Sequence, residues 1–205
     1  QLERLPFSNL LAFVSDIQNQ YAERLTSLLG DFSCVLYTCS GSEAVEAAIK
    51  TCRKYQVLKG RHRRKKIGAF SLSYHGTSYG AMSVSGIDQE LAQDYAPLLA
   101  DIRWLAVPAS FEEEALWISG IDRFFDEFGE ELAGFLAEPV IASGGVIPIP
   151  TTALQHLQKK CREQDILLVM DEVATGFGRT GTLFAFQKAG IAPDLVCLSK
   201  AINNG

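Results

Sequence analysis

Two side chains that end apolar runs could do chemistry together. Asp171 closes the run I-L-L-V-M at 166–170, with Glu172 beside it, and Lys200 follows the run at 195–198 in L-V-C-L-S-K. Each run is too short for a helix of its own and reads as a strand buried on both faces of a sheet. In parallel α/β sheets the C-terminal strand ends face the ligand crevice. One acid and one amine would then leave two strand ends on the same side. A carboxylate that keeps a ring nitrogen protonated and an amine that forms a Schiff base are what pyridoxal phosphate chemistry needs. Taken alone, Asp171 reads as a helix N-cap, a position Asp favours; Lys200 is what favours the chemical reading.

A phosphate needs its own seat, and residues 38–43 (T-C-S-G-S-E) supply a candidate. They precede Val45, Ala48, Ile49, Cys52 and Tyr55, which are spaced for one helix face. Ser40 and Glu43 fit a capping box. The start of a helix presents free N–H groups and a positive dipole end to an anion. Gly41 lets an anion approach the backbone, and the hydroxyls of Ser40 and Ser42 can donate to it. Without Lys200 the stretch is equally well explained as a capped helix; with Lys200 present it reads as a phosphate seat. Tyr74 follows the predicted strand 67–70 and precedes His75 and Gly76, so its ring is suited to stack on a flat cofactor, or equally to fill a core. Glu138 places another carboxylate after the apolar run 134–137, ahead of a flexible A-S-G-G loop at 142–145.

Residues 176–181 (G-F-G-R-T-G) satisfy the G-x-G-x-x-G pattern of dinucleotide-binding folds. In that arrangement the first glycine closes the strand directly and the third lies in the helix that receives the pyrophosphate. Here 171–175 separates strand from glycine, and the following T-L-F-A-F-Q-K-A-G is a helix of two turns at most. Asp194 stands near the spacing of a ribose-binding acid but precedes its apolar run. Loop glycines beside a site are the better account.

These residues need elements to hold them. Apolar positions between 8 and 29 recur every three or four residues, which predicts an amphipathic helix, and 34–37 predicts a short strand. Further strands are expected at 67–70, 102–107 and 134–137, and helices over 121–128 and from a Thr152–Gln155 capping box to Cys161. The Gly- and Ser-rich stretch 77–86 reads as loop, and the basic run 53–66 as a solvated connection rather than a nucleic-acid contact. Strand and helix alternate throughout, so the fold class is α/β, a mostly parallel sheet with helices on both faces.

Composition sets the bounds. At 47% hydrophobic and 21% charged, the chain has the make-up of a soluble globular α/β protein. Its net charge of −5 gives no general attraction to nucleic acid or anionic membrane. No apolar run approaches the roughly 18 residues of a membrane span. The five cysteines form no C-x-x-C pair and read as small core residues of a reducing, cytoplasmic compartment. With the three histidines scattered, no metal site is expected. The chain starts at Gln1 and stops five residues after Lys200, which reads as a fragment.

Taken together, residues 40–50 (S-G-S-E-A-V-E-A-A-I-K), 73–76 (S-Y-H-G), 137–140 (A-E-P-V), 171–181 (D-E-V-A-T-G-F-G-R-T-G) and 199–201 (S-K-A) resemble the class III pyridoxal-phosphate aminotransferases of fold type I. The resemblance covers nearly the whole chain. It implies that Lys200 is the Schiff-base lysine and that Asp171 pairs with the pyridine nitrogen. It also implies that Val173 and Tyr74 sandwich the ring, that Gly41 and Ser42 hold the phosphate, and that His75 and Glu138 lie near the site. The chain would be the cofactor-binding large domain, residues 1–205, without the family's N-terminal segment and C-terminal small domain. An antiparallel strand after Lys200 would complete the sheet. The whole protein would be at least a dimer, transferring an amino group from an ω-amine or amino acid to an oxo acid by ping-pong kinetics. Ala174 and the stretch 74–84 look more like the diaminopelargonate and ω-amine branches than the ornithine type. Rival readings are an aminomutase or decarboxylase on the same cofactor, a nucleotide-binding oxidoreductase through residues 176–181, and a catalytically idle relative.

Overall fold

The computed structural model describes residues 15–87 and 89–203, in two compact units divided after Tyr37. In the first unit, helix α1 spans Asp16–Leu29 and ends at Gly30, whose φ of +100° suits a residue without a Cβ. The start of the expected helix, at 8–14, lies outside the described residues. The strand expected at 34–37 does not form. That segment is extended but pairs with no described strand, and a lone strand has no ladder to satisfy its backbone. Instead the Tyr37 hydroxyl donates to the Gln18 carbonyl at 2.6 Å, and its ring packs 6.2 Å from that of Tyr21.

The second unit alternates strand and helix. In chain order it contains α2 (Gly41–Leu58), β1 (Lys66–Phe70), α3 (Tyr79–Val84), α4 (Gln89–Ala92), β2 (Ile102–Leu105), α5 (Glu114–Phe128) and β3 (Leu132–Ala137). The short pair β4 (Val140–Ile141) and β5 (Ile147–Pro148) follows, then α6 (Thr151–Glu163), β6 (Leu167–Asp171), α7 (Ala185–Lys188) and β7 (Leu195–Cys197). Five strands form one parallel sheet in the order β2-β1-β3-β6-β7, and β4 pairs antiparallel with β5. A parallel sheet requires crossovers, and the helices that make them cover both faces.

On one face, Val45, Ala48, Ile49 and Cys52 of α2 pack into a buried cluster with Ile67, Leu136, Val169 and Cys197. The contact is close: a Cβ on Gly134 of β3 would lie 2.4 Å from Cys52 Sγ. Burial in this apolar layer pushes the Cys52 thiol up to about 12, which leaves it an inert core group. On the other face, edge-to-face rings fill the space. Phe70 meets Phe135 at 5.3 Å and Trp117 at 5.6 Å, and Phe124 meets Phe135 at 5.6 Å. Each such fully buried ring stabilises the sheet by roughly 1.5–3 kcal/mol relative to exposure.

Several expectations need correction. Residues 79–84 of the expected loop are helical (α3), because Glu46 of α2 supplies the cap: its Oε1 accepts from Ser78 Oγ and Gly80 N, both at 2.7 Å. Helix α5 begins at Glu114, seven residues before the expected start, with Trp117 adding to its buried face. The Thr152–Gln155 box does not form, since α6 begins at Thr151 behind Pro150. Thr152 instead donates to Glu114 at 2.7 Å, and Gln155 to the Ala189 carbonyl at 2.9 Å. Part of the basic run is tied down: Arg61 pairs with Asp165, and Arg64 donates to the Gln164 carbonyl. Cys34 and Cys39 are exposed rather than core residues. Among the described residues no helix is long and apolar enough to cross a membrane, and no group of three acidic, His or Cys residues could hold a metal ion.

Candidate active site

Four parallel strand ends and the start of α2 converge on one cavity of about 740 Å³. Behind β1 come Tyr74, His75 and Gly76; behind β3 comes Glu138; β6 ends in Asp171; behind β7 come Ser199 and Lys200. Gly41 and Ser42 enter from the first turn of α2. Gly41, Ser42, Tyr74, His75, Glu138, Asp171, Val173 and Lys200, all nominated from sequence, line this cavity together. Ser40 is the exception. Its Oγ accepts from Glu43 N at 3.2 Å, so it serves as the N-cap of α2. The reciprocal half of the box is shifted by one residue, with Glu43 Oε2 accepting from Cys39 N at 2.6 Å.

Asp171 is the last residue of β6, and no helix starts there, so it is not a helix cap. The side chain is buried, with Oδ2 2.7 Å from His75 Nδ1 and Oδ1 accepting from Val173 N at 3.1 Å. Its neighbour Glu172 does different work. Oε1 accepts from Phe186 N at 2.7 Å and Oε2 accepts from the Thr175 hydroxyl, so this carboxylate pins both ends of the 172–186 loop. Burial pushes the Glu172 carboxyl up.

Lys200 is exposed and opens a short turn, Lys200–Asn203, with φ at +44°. A non-glycine residue held in the left-handed region costs on the order of 1–3 kcal/mol, and such residues cluster where function depends on them. In the first turn of α2, the N–H groups of Gly41 and Ser42 have no acceptor within the helix. Ser42 Oγ accepts from Thr77 N at 3.1 Å, which leaves its own hydrogen free to donate. A Cβ on Gly76, where φ is +130°, would lie 2.3 Å from Ser42 Oγ, so the β1 loop can close onto α2 only with glycine there.

Glu138 joins two walls of the cavity. Oε1 accepts from Tyr74 N at 2.9 Å and Oε2 from Ala142 N at 3.3 Å. Burial pushes its carboxyl up, opposed by the nearby His75 and by the two N–H donors. The sign of the pH effect follows. A carboxyl with a raised folded-state pKa binds its proton more tightly when folded, so its contribution to stability is full below the ordinary Glu value and is lost as pH rises through the folded value. Glu138→Gln cannot titrate. Wild type should therefore gain stability over Glu138→Gln as pH is lowered from 7 toward 4.5, measured by denaturant unfolding at each pH. A constant difference would show that Glu138 does not titrate in that window.

The glycine pattern at 176–181 does not form a strand–glycine–helix junction. Phe177, Gly178 and Gly181 all have positive φ, and the next helix, α7, has four residues. What the pattern hides is Arg179. It lines the cavity and carries no hydrogen bond or ion pair among the described residues. In the sequence Arg179 stands as the filler of a glycine motif, and its only signal is a cation eight residues after Asp171. Ser143 and Ser199 line the cavity too, and a lone serine carries no sequence signal.

A family model described as aminotransferase class-III matches residues 1–205. The adenosylmethionine-8-amino-7-oxononanoate aminotransferase of Helicobacter pylori is 37% identical over 187 residues, covering 90% of this chain and 42% of the relative. An (S)-enantioselective omega-transaminase from Thermomicrobium roseum superimposes with a TM-score of 0.93 at 34% identity, over 100% of this chain and 48% of that one. An amine transaminase from an uncultivated Pseudomonas species, solved in a PLP-bound form, gives a TM-score of 0.90 at 31% identity, over 97% and 48% of the two chains. The chain spans about half the length of the relatives it matches.

Proposed function

The chain belongs to the class III aminotransferases, and on that footing we propose that it is the cofactor-binding large-domain portion of an enzyme that moves an amino group from an ω-amine or amino acid to an oxo acid. The observation that carries this is the meeting of Lys200, Asp171 and the open first turn of α2 in one cavity. Pyridoxal phosphate fits that donor set. Gly41 and Ser42 would hold its phosphate with two N–H groups and a hydroxyl. Tyr74 and Val173 would flank its ring, Asp171 would face the ring nitrogen, and Lys200 would hold its aldehyde carbon.

When bound, pyridoxal phosphate supplies an electrophilic carbon for the donor amine and a ring that draws electrons from the carbon that loses its proton. The chain's residues do the rest. The Asp171 carboxylate would keep the ring nitrogen protonated by its charge. Lys200 Nζ would be the group that takes the proton from the amine-bearing carbon and returns it on the cofactor side. It lines the cavity and is exposed, which would give it room to move as the donor binds. Glu138 keeps the Tyr74 and 142–145 walls in register, so the flanking ring holds its place.

The full-length protein is expected to be at least a homodimer, with no membrane or nucleic-acid partner. The free thiols and the buried Cys52, Cys161 and Cys197 fit a reducing compartment, and the cytoplasm is the proposed location. The test is a half-reaction. Full-length protein with pyridoxal phosphate and a donor amine alone should convert the cofactor absorbance once and release one equivalent of carbonyl product per site. Adding an oxo acid should then restore the first spectrum. Carbon dioxide release, or an isomerised amine with no carbonyl product, would move the assignment to a decarboxylase or an aminomutase.

A further inference from the structure

We propose that Glu46 is a positioning residue that ties the ring side of the cofactor site to its phosphate side, by fixing the segment 74–81 against α2. The inference rests on the pyridoxal phosphate function proposed above. The first turn of α2 carries the phosphate seat, and Glu46 follows Ser42 by four residues, on the same side of that helix. Both side chains reach the segment behind β1. Ser42 Oγ accepts from Thr77 N at 3.1 Å. Glu46 Oε1 accepts from Ser78 Oγ and Gly80 N, both at 2.7 Å, and from Ala81 N at 3.3 Å. Tyr74 and Gly76 of the same segment line the cavity, whereas Glu46 does not. It can act on the site only through them.

The start of α3 has no cap of its own. Ser78, at the N-cap, makes no side-chain bond to its own helix and gives its hydroxyl hydrogen to Glu46. The carboxylate of the neighbouring helix therefore meets the orphan N–H groups and the positive end of α3. Hydrogen bonds to an ionised acceptor are the stronger kind. Gly80 makes room for this contact, since a Cβ there would collide with the Glu46 carboxylate. Apolar packing cannot replace it. Ala81 and Val84 of α3 are buried in one cluster with Val45, Ala48 and Ile49 of α2, which keeps the two helices together. That attraction is non-directional, whereas hydrogen bonds fix the register of one element against the other. At its other end the segment is held by Glu138, through Tyr74 N at 2.9 Å. The Tyr74 ring thus takes its place between a hold from the end of β3 and a hold from the helix that carries the phosphate seat.

The test has two arms, both on full-length protein. In the first, hydrogen–deuterium exchange of the apoprotein is followed by mass spectrometry. Glu46→Ala should exchange faster over 73–84 and match wild type over the rest of α2. In the second, pyridoxal phosphate affinity is read from an absorbance titration. Glu46→Ala should bind roughly tenfold more weakly, on the order of one hydrogen bond to a charged group. Glu46→Gln keeps an oxygen for the same donors and should stay within about threefold of wild type in affinity, with unchanged exchange. Gly80→Ala leaves Glu46 in the chain but puts a methyl group against its carboxylate. It should repeat Glu46→Ala in both arms, although alanine is the better helix former, and it carries the test if Glu46→Ala does not fold. Wild-type affinity in Glu46→Ala or Gly80→Ala overturns the positioning role, and so does weakened binding with exchange over 73–84 unchanged. A wild type that takes up no pyridoxal phosphate overturns the function underneath, and the exchange pattern still decides whether Glu46 fixes the segment.

Discussion

Lys200→Ala in the full-length protein should lower turnover by about a thousandfold or more, the scale of removing a positioned proton-transfer group, while leaving the fold intact. The side chain is exposed and makes no hydrogen bond or ion pair among the described residues, so its removal leaves no buried partner unsatisfied. Alanine keeps the strained φ of +44°, so the backbone cost is unchanged in kind, and unfolding midpoints should agree closely. Borohydride reduction of the wild type with pyridoxal phosphate, followed by peptide mass spectrometry, should place the label on Lys200. Lys50 and Lys188 serve as internal controls, because they lie on α2 and α7 and neither lines the cavity. A label on either one, or a Lys200→Ala variant that turns over normally, would remove Lys200 from the chemistry.

The strand ends that carry the site were legible because strands buried on both faces leave continuous apolar runs, and a polar residue at the end of such a run stands out. That reasoning located Asp171, Glu138 and Lys200. It was least accurate at the sheet edge, where Leu195 and Val196 of the outer strand β7 are only half-buried. Features set by distant partners could not be read. Helix α3 hides in a Gly- and Ser-rich stretch because its cap is Glu46, more than thirty residues upstream. The His75–Asp171 pair spans 96 residues of sequence and exists only because β1 and β6 both flank β3. Ser40 caps α2 with its acceptor side and stands outside the cavity lining, and Arg179 is hidden in a pattern whose glycines are more conspicuous than its cation.

Asp171 separates charge from shape, and its variants should show the difference. Asp171→Asn keeps the side-chain volume and an oxygen for Val173 N. Its amide nitrogen, however, faces His75 Nδ1, and it can be bonded there only if the ring proton sits on Nε2, which is buried without a partner among the described residues. Its stability should therefore fall by about 1–3 kcal/mol, the cost of one unsatisfied buried group. Turnover should still fall by roughly 3 kcal/mol or more, on the order of a hundredfold, because an amide cannot balance the charge of a protonated ring nitrogen and the missing interaction is needed chiefly in the transition state. Asp171→Ala should be slow for the same reason and less stable still. It strands the His75 Nδ1–H and the Val173 N–H in a buried site, at about 1–3 kcal/mol for each unsatisfied group. Attachment of the cofactor to Lys200 needs only an aldehyde and an amine, so both variants should still take the borohydride label. A purely structural Asp171 would behave in the opposite way, with Asn restoring turnover. Unfolding free energies and single-turnover rates for the two variants, measured side by side, decide the matter: if Asp171→Asn turns over like wild type, the carboxylate is holding a loop and not a cofactor.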